Sequence, residues 1–90
     1  MSKPILMDFT ATWCGPCRLQ HPIIEKIKEE YKDRIEVRVI DVDEHPELSA
    51  KYKIRVVPTV IIEKDNVILS SFTGVTPEKI LRNKIDDALI

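Results

Sequence analysis

The chain has 90 residues, enough for one compact domain, residues 1–90, and too few for a second hydrophobic core. Its 43% hydrophobic and 32% charged residues are typical of an ordinary globular protein. With 14 basic and 15 acidic residues, the net charge of -1 excludes a general electrostatic attraction to nucleic acid or to an anionic membrane. We therefore expect neither as a partner.

The first predicted element is a short buried strand from Ile5 to Phe9, in which Asp8 interrupts the apolar residues. The apolar run before Asp8 is too short for a signal peptide or a membrane span, so a cytoplasmic location is expected. Permanent disulfides are rare in that reducing compartment. The chain's two cysteines, Cys14 and Cys17, are therefore expected to serve catalysis, redox sensing or metal binding rather than to form a structural disulfide.

Both cysteines lie in the run Trp13-Cys14-Gly15-Pro16-Cys17, where a helix is predicted to begin. Residues three apart on one helical turn satisfy the Cα separation of a disulfide, so the pair can open and close without moving the backbone. Free N-H groups and the helix dipole should stabilise the Cys14 thiolate. We expect Cys14 to attack a target disulfide and Cys17, which should be more buried, to attack the mixed disulfide and release the target.

The same cysteine spacing is also half of a zinc site, and His21 lies one helical turn after Cys17. A closed structural zinc site needs four ligands, however, and the only other histidine, His45, lies far along the chain. The sequence therefore favours redox chemistry over zinc, and no metal ligand is predicted.

After the cysteines, helical spacing of apolar side chains predicts an amphipathic helix that contains Pro22. Its buried face should comprise Leu19, Ile23, Ile24, Ile27 and Tyr31. Alternation of apolar and charged residues predicts a second strand over 35–42. A short helix is predicted over 43–52, with Pro46 near its first turn.

The last part of the chain predicts a hairpin and a final helix. A third strand should start at Pro58, and a turn at 64–66 should lead into a second arm over 67–72. Thr76 is the predicted N-cap of the last helix, whose apolar face should comprise Ile80, Leu81, Ile85, Ala88 and Leu89. The order βαβαββα predicts an α/β fold, a three-layer sandwich with a four-stranded mixed sheet and three helices on both of its faces.

These residues resemble the thioredoxin family from Ile5 to the end of the chain. The matching positions, at the family's spacing, are Asp8-Phe9, Trp13-Cys14-Gly15-Pro16-Cys17, Pro22, Val57-Pro58-Thr59 and Gly74. The resemblance implies a thioredoxin-like three-layer fold and a protein disulfide reductase that works through a Cys14-Cys17 dithiol-disulfide cycle. It also implies no bound cofactor, disulfide-containing protein substrates, a thioredoxin reductase or similar electron donor, and a monomer.

The resemblance assigns Asp8 the role of a buried carboxyl that exchanges a proton with Cys17. Burial raises the pKa of a carboxyl toward the range in which it can act as a general base and acid. The alternative is an acid at a strand end that faces water. Because Val39 stands where many members of the family have a lysine, we expect Asp8 to lack a charged neighbour.

A mostly apolar docking surface is also implied by the resemblance. A cis peptide bond before Pro58 would bring the Val57 backbone beside the cysteines, where it could pair with an extended substrate strand. The alternative is a trans proline that opens the strand. The docking residues expected from the resemblance are Trp13, Gly15, Pro16, Val57, Pro58, Thr73, Gly74 and Val75.

Thirteen residues precede Cys14, fewer than in typical thioredoxins, so the family's first strand and helix are expected to be absent and the strand over 35–42 to form a sheet edge. Lys53 occupies a position where the family usually has glycine, which predicts a positive φ there. Two other functions stay open: a glutaredoxin-like enzyme, and a binding module that docks one partner and uses the disulfide as a switch.

Overall fold

A computed structural model describes residues 2–90, and Met1, the first residue of the predicted domain, lies outside the described residues. The elements are β1 (Ile5–Thr10), α1 (Gly15–Tyr31), β2 (Glu36–Asp41), α2 (Pro46–Lys51), β3 (Thr59–Lys64), β4 (Val67–Thr73) and α3 (Glu78–Ala88). A short 3-10 turn, Lys32–Arg34, joins α1 to β2. The predicted order βαβαββα is confirmed.

The strands form one mixed sheet in the order β2-β1-β3-β4. The crossover through α1 makes β1 and β2 parallel, whereas β1 with β3 and β3 with β4 are antiparallel. Strand β1 is therefore central, and Asp8 lies between Val39 of β2 and Val60 of β3. The predicted turn is confirmed as well, since Asp65 and Asn66 both adopt positive φ.

Helices cover both faces of the sheet, as predicted. Alternation along β1 sends Leu6 to one face and Met7 to the other. On the first face, Leu6 packs with side chains of α1 and α3, including Ile24, Ile27, Leu81 and Ile85. On the second face, Met7 packs with Phe9, Ile40 and Ile61, against partly buried side chains that include Leu48 and Tyr52. The cysteines lie at the end of the first layer, where β1 passes into α1.

The buried face of α1 differs from the predicted one. Leu19 is 66% exposed, Ile23 is half-buried, and the buried residues are Cys17, Gln20, Ile24, Ile27 and Tyr31. These five residues follow one another at intervals of three or four, so they form a single helical stripe that starts at Cys17. Because Gln20 lies three residues after Cys17 on this stripe and Leu19 only two, Gln20 rather than Leu19 faces the core.

Two helix starts also differ from the prediction. The Asp41 carboxylate accepts hydrogen bonds from the N-H groups of Asp43 and Glu44, which holds these residues in a turn, so α2 begins only at Pro46. Thr76 does not cap α3, because its hydroxyl donates to the Gly74 carbonyl. On α3, Leu81, Ile85 and Ala88 are buried as predicted, whereas Ile80 is exposed and Leu89 half-buried. The positive φ of Lys53 is confirmed at 56°.

Candidate active site

Cys14 is the N-cap of α1, in an extended conformation with φ -93° and ψ 110°. Its Sγ accepts a hydrogen bond from the Cys17 N-H at 3.2 Å, and the two residues form a disulfide with a Cα separation of 5.3 Å. In a helix this amide has no backbone partner, so it is free to bind a capping group. When the disulfide is reduced, the same N-H and the helix dipole can stabilise a thiolate on Cys14.

The two cysteines are equally shielded from water. Cys14 and Cys17 are each 4% exposed and pack with Ala11, against partly buried Val42 and Val57. The prediction that Cys17 is the more buried cysteine is therefore wrong. The segment before Pro58 covers Cys14 from outside the helix, which the local sequence around the cysteines does not reveal.

Asp8 is buried on strand β1, which leads into α1, with 2% of its surface exposed. This confirms the buried carboxyl and excludes the alternative of an acid that faces water. Among the described residues its Oδ1 has no hydrogen-bond partner. Burial raises the pKa of Asp8 to about 6, against an opposing effect of the nearby His21 charge, which lowers that pKa. His21, when protonated, is a charged neighbour of Asp8 that the sequence did not lead us to expect.

The Val57-Pro58 peptide bond is cis, as the resemblance implied. The Val57 carbonyl oxygen lies 3.6 Å from Cys14 Sγ, so this backbone does reach the sulfurs. On the other side of the turn, the Thr59 hydroxyl donates to the Val56 carbonyl at 2.7 Å. The Gly74 N-H donates to the Pro58 carbonyl at 2.8 Å, which places the end of β4 beside the same turn.

Comparison with known proteins agrees with this geometry. The family model described as Thioredoxin matches residues 1–87. The chain belongs to the thioredoxin family. It is 39% identical to "Thioredoxin 1" of Synechococcus elongatus, over 98% of this chain and 82% of that protein. It is 44% identical to "Thioredoxin Y2, chloroplastic" of Arabidopsis thaliana, over 97% of this chain and 52% of that protein.

A solved thioredoxin shares the fold. The X-ray structure of Fasciola hepatica thioredoxin superposes with a TM-score of 0.87 at 36% identity, and the match covers 96% of this chain and 81% of that one. Together with the Cys14-Cys17 disulfide, this similarity shows that the chain is a thiol-disulfide oxidoreductase. The chain spans about half the length of the chloroplastic relative. It spans about four fifths of the length of the cyanobacterial and Fasciola hepatica proteins.

Around the disulfide of this thioredoxin-family chain, most of the expected docking residues are accessible. Trp13 is 68% exposed, and Gly15, Pro16, Thr73 and Val75 are exposed as well. Val57 and Gly74 are half-buried, and Gly74 adopts a φ of 81°, which favours glycine. Pro58 is the exception, because its side chain is buried. It therefore positions Val57 instead of offering a surface of its own.

A cleft of about 370 Å³ adjoins Trp13 and Val57. It is lined mainly by apolar side chains from the ends of β2 and α2 and from the segment before Pro58, including Val42, Ile54 and Val56. The Trp13 indole N-H donates to the Asp43 carboxylate at 2.8 Å, which fixes the ring at the edge of this cleft. The sequence reasoning missed Asp43, because no local pattern links residues thirty apart.

The second missed residue is Gln20, which is fully buried on α1 and hydrogen-bonded to the backbone of Thr76. The one available signal was its spacing, because residue 20 lies three positions after Cys17 on the same stripe of the helix. His21 is the third, because its position one turn after Cys17 pointed to zinc or to a plain polar helix residue and not to an effect on Asp8. No group of three or more possible metal ligands occurs within residues 2–90. None of the helices described here is both long and apolar enough to span a membrane.

Proposed function

We propose that this thioredoxin-family chain reduces disulfides in protein substrates through three residues, Cys14, Cys17 and Asp8. The observation that carries the proposal is the hydrogen bond from the Cys17 N-H to Cys14 Sγ at the start of α1. The Cys14 thiolate attacks one sulfur of the target, forms a mixed disulfide and expels the other sulfur as a thiolate. Cys17 then attacks Cys14 Sγ, which closes the Cys14-Cys17 disulfide and releases the second target thiolate.

Asp8 supplies the base for the second step. Its carboxylate takes the proton of the Cys17 thiol, which leaves the nucleophilic thiolate and a neutral Asp8. In the return reaction, when a donor reduces the disulfide, Asp8 gives this proton back to Cys17. A pKa of about 6 suits both directions near neutral pH, since a base is most effective when its pKa is close to the working pH.

Substrate recognition is assigned to the surface around the disulfide. Trp13 and Val57 border the apolar cleft, and the Val57 backbone can pair with an extended target segment next to Cys14. Thr73, Gly74 and Val75, hereafter the docking segment, extend this surface on the other side of Pro58. Gly15 and Pro16 complete it between the sulfurs.

The proposal also covers the electron donor, the lack of a bound cofactor, the cellular location and the oligomeric state. A separate thioredoxin reductase or similar donor returns electrons to Cys14-Cys17, and no bound cofactor is needed, because a dithiol carries both electrons itself. A cytoplasmic location fits a pair that must be kept reduced. A single domain and a monomer fit the exposed charges on edge strand β2, Glu36 and Arg38, which discourage pairing with a second sheet.

The direct test is reduction of insulin driven by dithiothreitol, followed as turbidity from the precipitating chain. The oxidoreductase should accelerate the reaction, and Cys14→Ser should abolish the acceleration because the first nucleophile is lost. Wild-type protein that gives no acceleration would contradict the proposal.

A Cys17→Ser variant should trap mixed disulfides, since nothing resolves them. Many trapped proteins support a general reductase, whereas a single trapped protein supports the dedicated binding module, and turnover with glutathione supports glutaredoxin-like activity.

A further inference from the structure

Gln20 makes an unusual connection between the helix that carries the cysteines and the docking segment. Its side chain is fully buried, one helical turn after Cys17. The Gln20 amide nitrogen donates to the Thr76 carbonyl oxygen at 3.1 Å. The Thr76 N-H donates to the Gln20 amide oxygen at 2.7 Å. One side chain thus satisfies both backbone polar groups of a residue that lies 56 positions away along the chain.

These two hydrogen bonds hold the segment after β4 in place. Thr76 is itself buried and follows the docking segment directly. Leaving its N-H and carbonyl without partners would destabilise this placement of the segment, because buried backbone groups cannot bond to water instead. A hydrophobic residue at position 20 would fill the core equally well but would not hold this backbone.

A series of contacts also connects Thr76 with the sulfur of Cys14. The Thr76 hydroxyl donates to the Gly74 carbonyl at 3.1 Å, and the Gly74 N-H donates to the Pro58 carbonyl at 2.8 Å. The residue before Pro58, Val57, places its carbonyl oxygen 3.6 Å from Cys14 Sγ. The contacts therefore form a ring that runs from α1 through the docking segment and the cis-proline turn to the start of α1.

We infer that Gln20 is a positioning residue for protein substrates, which holds the docking segment at a fixed place relative to Cys14 through its two hydrogen bonds with Thr76. The inference rests on the proposed docking surface. A folded substrate must meet Cys14, the Val57 backbone and the docking segment at the same time, so it requires their correct relative placement. A small aromatic disulfide needs only access to the sulfur and is less dependent on that placement.

The test compares insulin with dithiobis(nitrobenzoate), a small disulfide that releases a coloured thiolate. Gln20→Met keeps the side-chain length and removes both hydrogen bonds. We expect the ratio of kcat/KM for insulin to kcat/KM for the small disulfide to fall by about three- to tenfold, mainly through KM, because the positioned state becomes less populated. Thr76→Val, which removes only the hydroxyl bond to Gly74, should lower the same ratio less, and the double variant should show a non-additive loss.

The matched control is Ile85→Val, a core change on α3 that lowers stability modestly and alters none of the residues in the ring of contacts. Its ratio should equal that of the wild type. Amide exchange provides a second measurement, in which the N-H groups of Thr76 and Gly74 should exchange faster in Gln20→Met than in Ile85→Val. If Gln20→Met folds and its ratio and exchange match those of Ile85→Val, the inference is wrong. If Gln20→Met does not fold, Gln20→Asn takes its place, because it keeps the amide but shortens its reach to the Thr76 backbone, and a wild-type ratio in Gln20→Asn overturns the inference.

A separate variant tests the surface on which the inference depends. Val75→Asp places a charge on the exposed docking segment and leaves the Gln20 hydrogen bonds in place. A lower ratio in Val75→Asp together with a wild-type ratio in Gln20→Met contradicts only the role of Gln20. A wild-type ratio in Val75→Asp contradicts the docking surface itself.

Discussion

The two sides of the disulfide differ in what they offer to a reaction. Towards the core, the strand that leads into the cysteine helix carries Asp8, a buried carboxyl with one oxygen that has no hydrogen-bond partner among the described residues. Above the disulfide lie Trp13 and the Val57 backbone, which border an open apolar cleft. Proton transfer benefits from a site without water, whereas recognition of varied proteins needs an accessible surface. Substitutions on one side should therefore change proton transfer, and substitutions on the other side should change substrate recognition, without affecting each other.

The change of unfolding free energy with pH should be the greatest effect, and it reports on the buried side. The pKa of Asp8 is raised from its ordinary 3.8 to about 6, so the folded protein binds this proton more tightly than the unfolded chain does. The resulting stabilisation is complete below about pH 4 and is lost as the pH rises through about 6, by about 3 kcal/mol. Urea unfolding of the oxidised protein across this range should show the loss. Asp8→Asn should remove it, and parallel pH curves for the two proteins would contradict the assignment.

The next effect is on rate. Asp8→Asn removes the base for Cys17, so we expect the second thiol step to slow by about 100-fold near pH 7. Stopped-flow absorbance with dithiobis(nitrobenzoate) separates the two steps, because each releases one coloured thiolate. The first release, which depends on Cys14, is the internal reference. Equal slowing of both releases would show that Asp8 acts on the site as a whole rather than on Cys17.

A smaller effect should follow on the exposed side. Trp13→Ala removes the ring that borders the cleft, and we expect kcat/KM for insulin to fall about tenfold, because large aromatic residues contribute most at docking surfaces. Leu69→Ala is the matched control, since this residue is also exposed and apolar but lies on β4 near the hairpin turn. Trp13→Ala should leave the Asp8-dependent change of stability with pH unchanged, because Trp13 lies on the exposed side. Equal losses in both variants would contradict a specific docking role for Trp13.

The smallest effect concerns His21, which lies on the boundary between the two sides. A positive charge on His21 lowers the pKa of Asp8, so His21→Gln should raise that pKa further above about 6 and His21→Lys should not. At about pH 6 the second thiol step should then be roughly two- to fivefold slower in His21→Gln than in His21→Lys, as expected for a partly exposed charge. In an Asp8→Asn background the two variants should be equal, and a remaining difference would show that His21 acts on the sulfurs directly.

Much of the site follows from signals that are local in the sequence. The helix spacing of Cys14 and Cys17 predicts their disulfide geometry, whereas the position of Asp8 in an apolar strand left its burial open until the family resemblance implied it. The cis bond before Pro58 followed from family resemblance rather than from any local rule. Leu19 shows the limit of periodicity, because a shift of one residue on a helix turns the predicted stripe by about 100°.

Patterns in the sequence were enough to predict the order of the elements, the mixed sheet and the reactive pair, because turn residues, alternation and helical spacing act over a few neighbouring positions. The folded structure was needed to show that Gln20 bonds Thr76, that Asp43 bonds Trp13, that His21 acts on Asp8 and that both cysteines are equally shielded. Each of these depends on side chains brought together from distant segments. A buried hydrogen bond or a charge in a poorly solvated site acquires its energy from that placement, which no local pattern encodes.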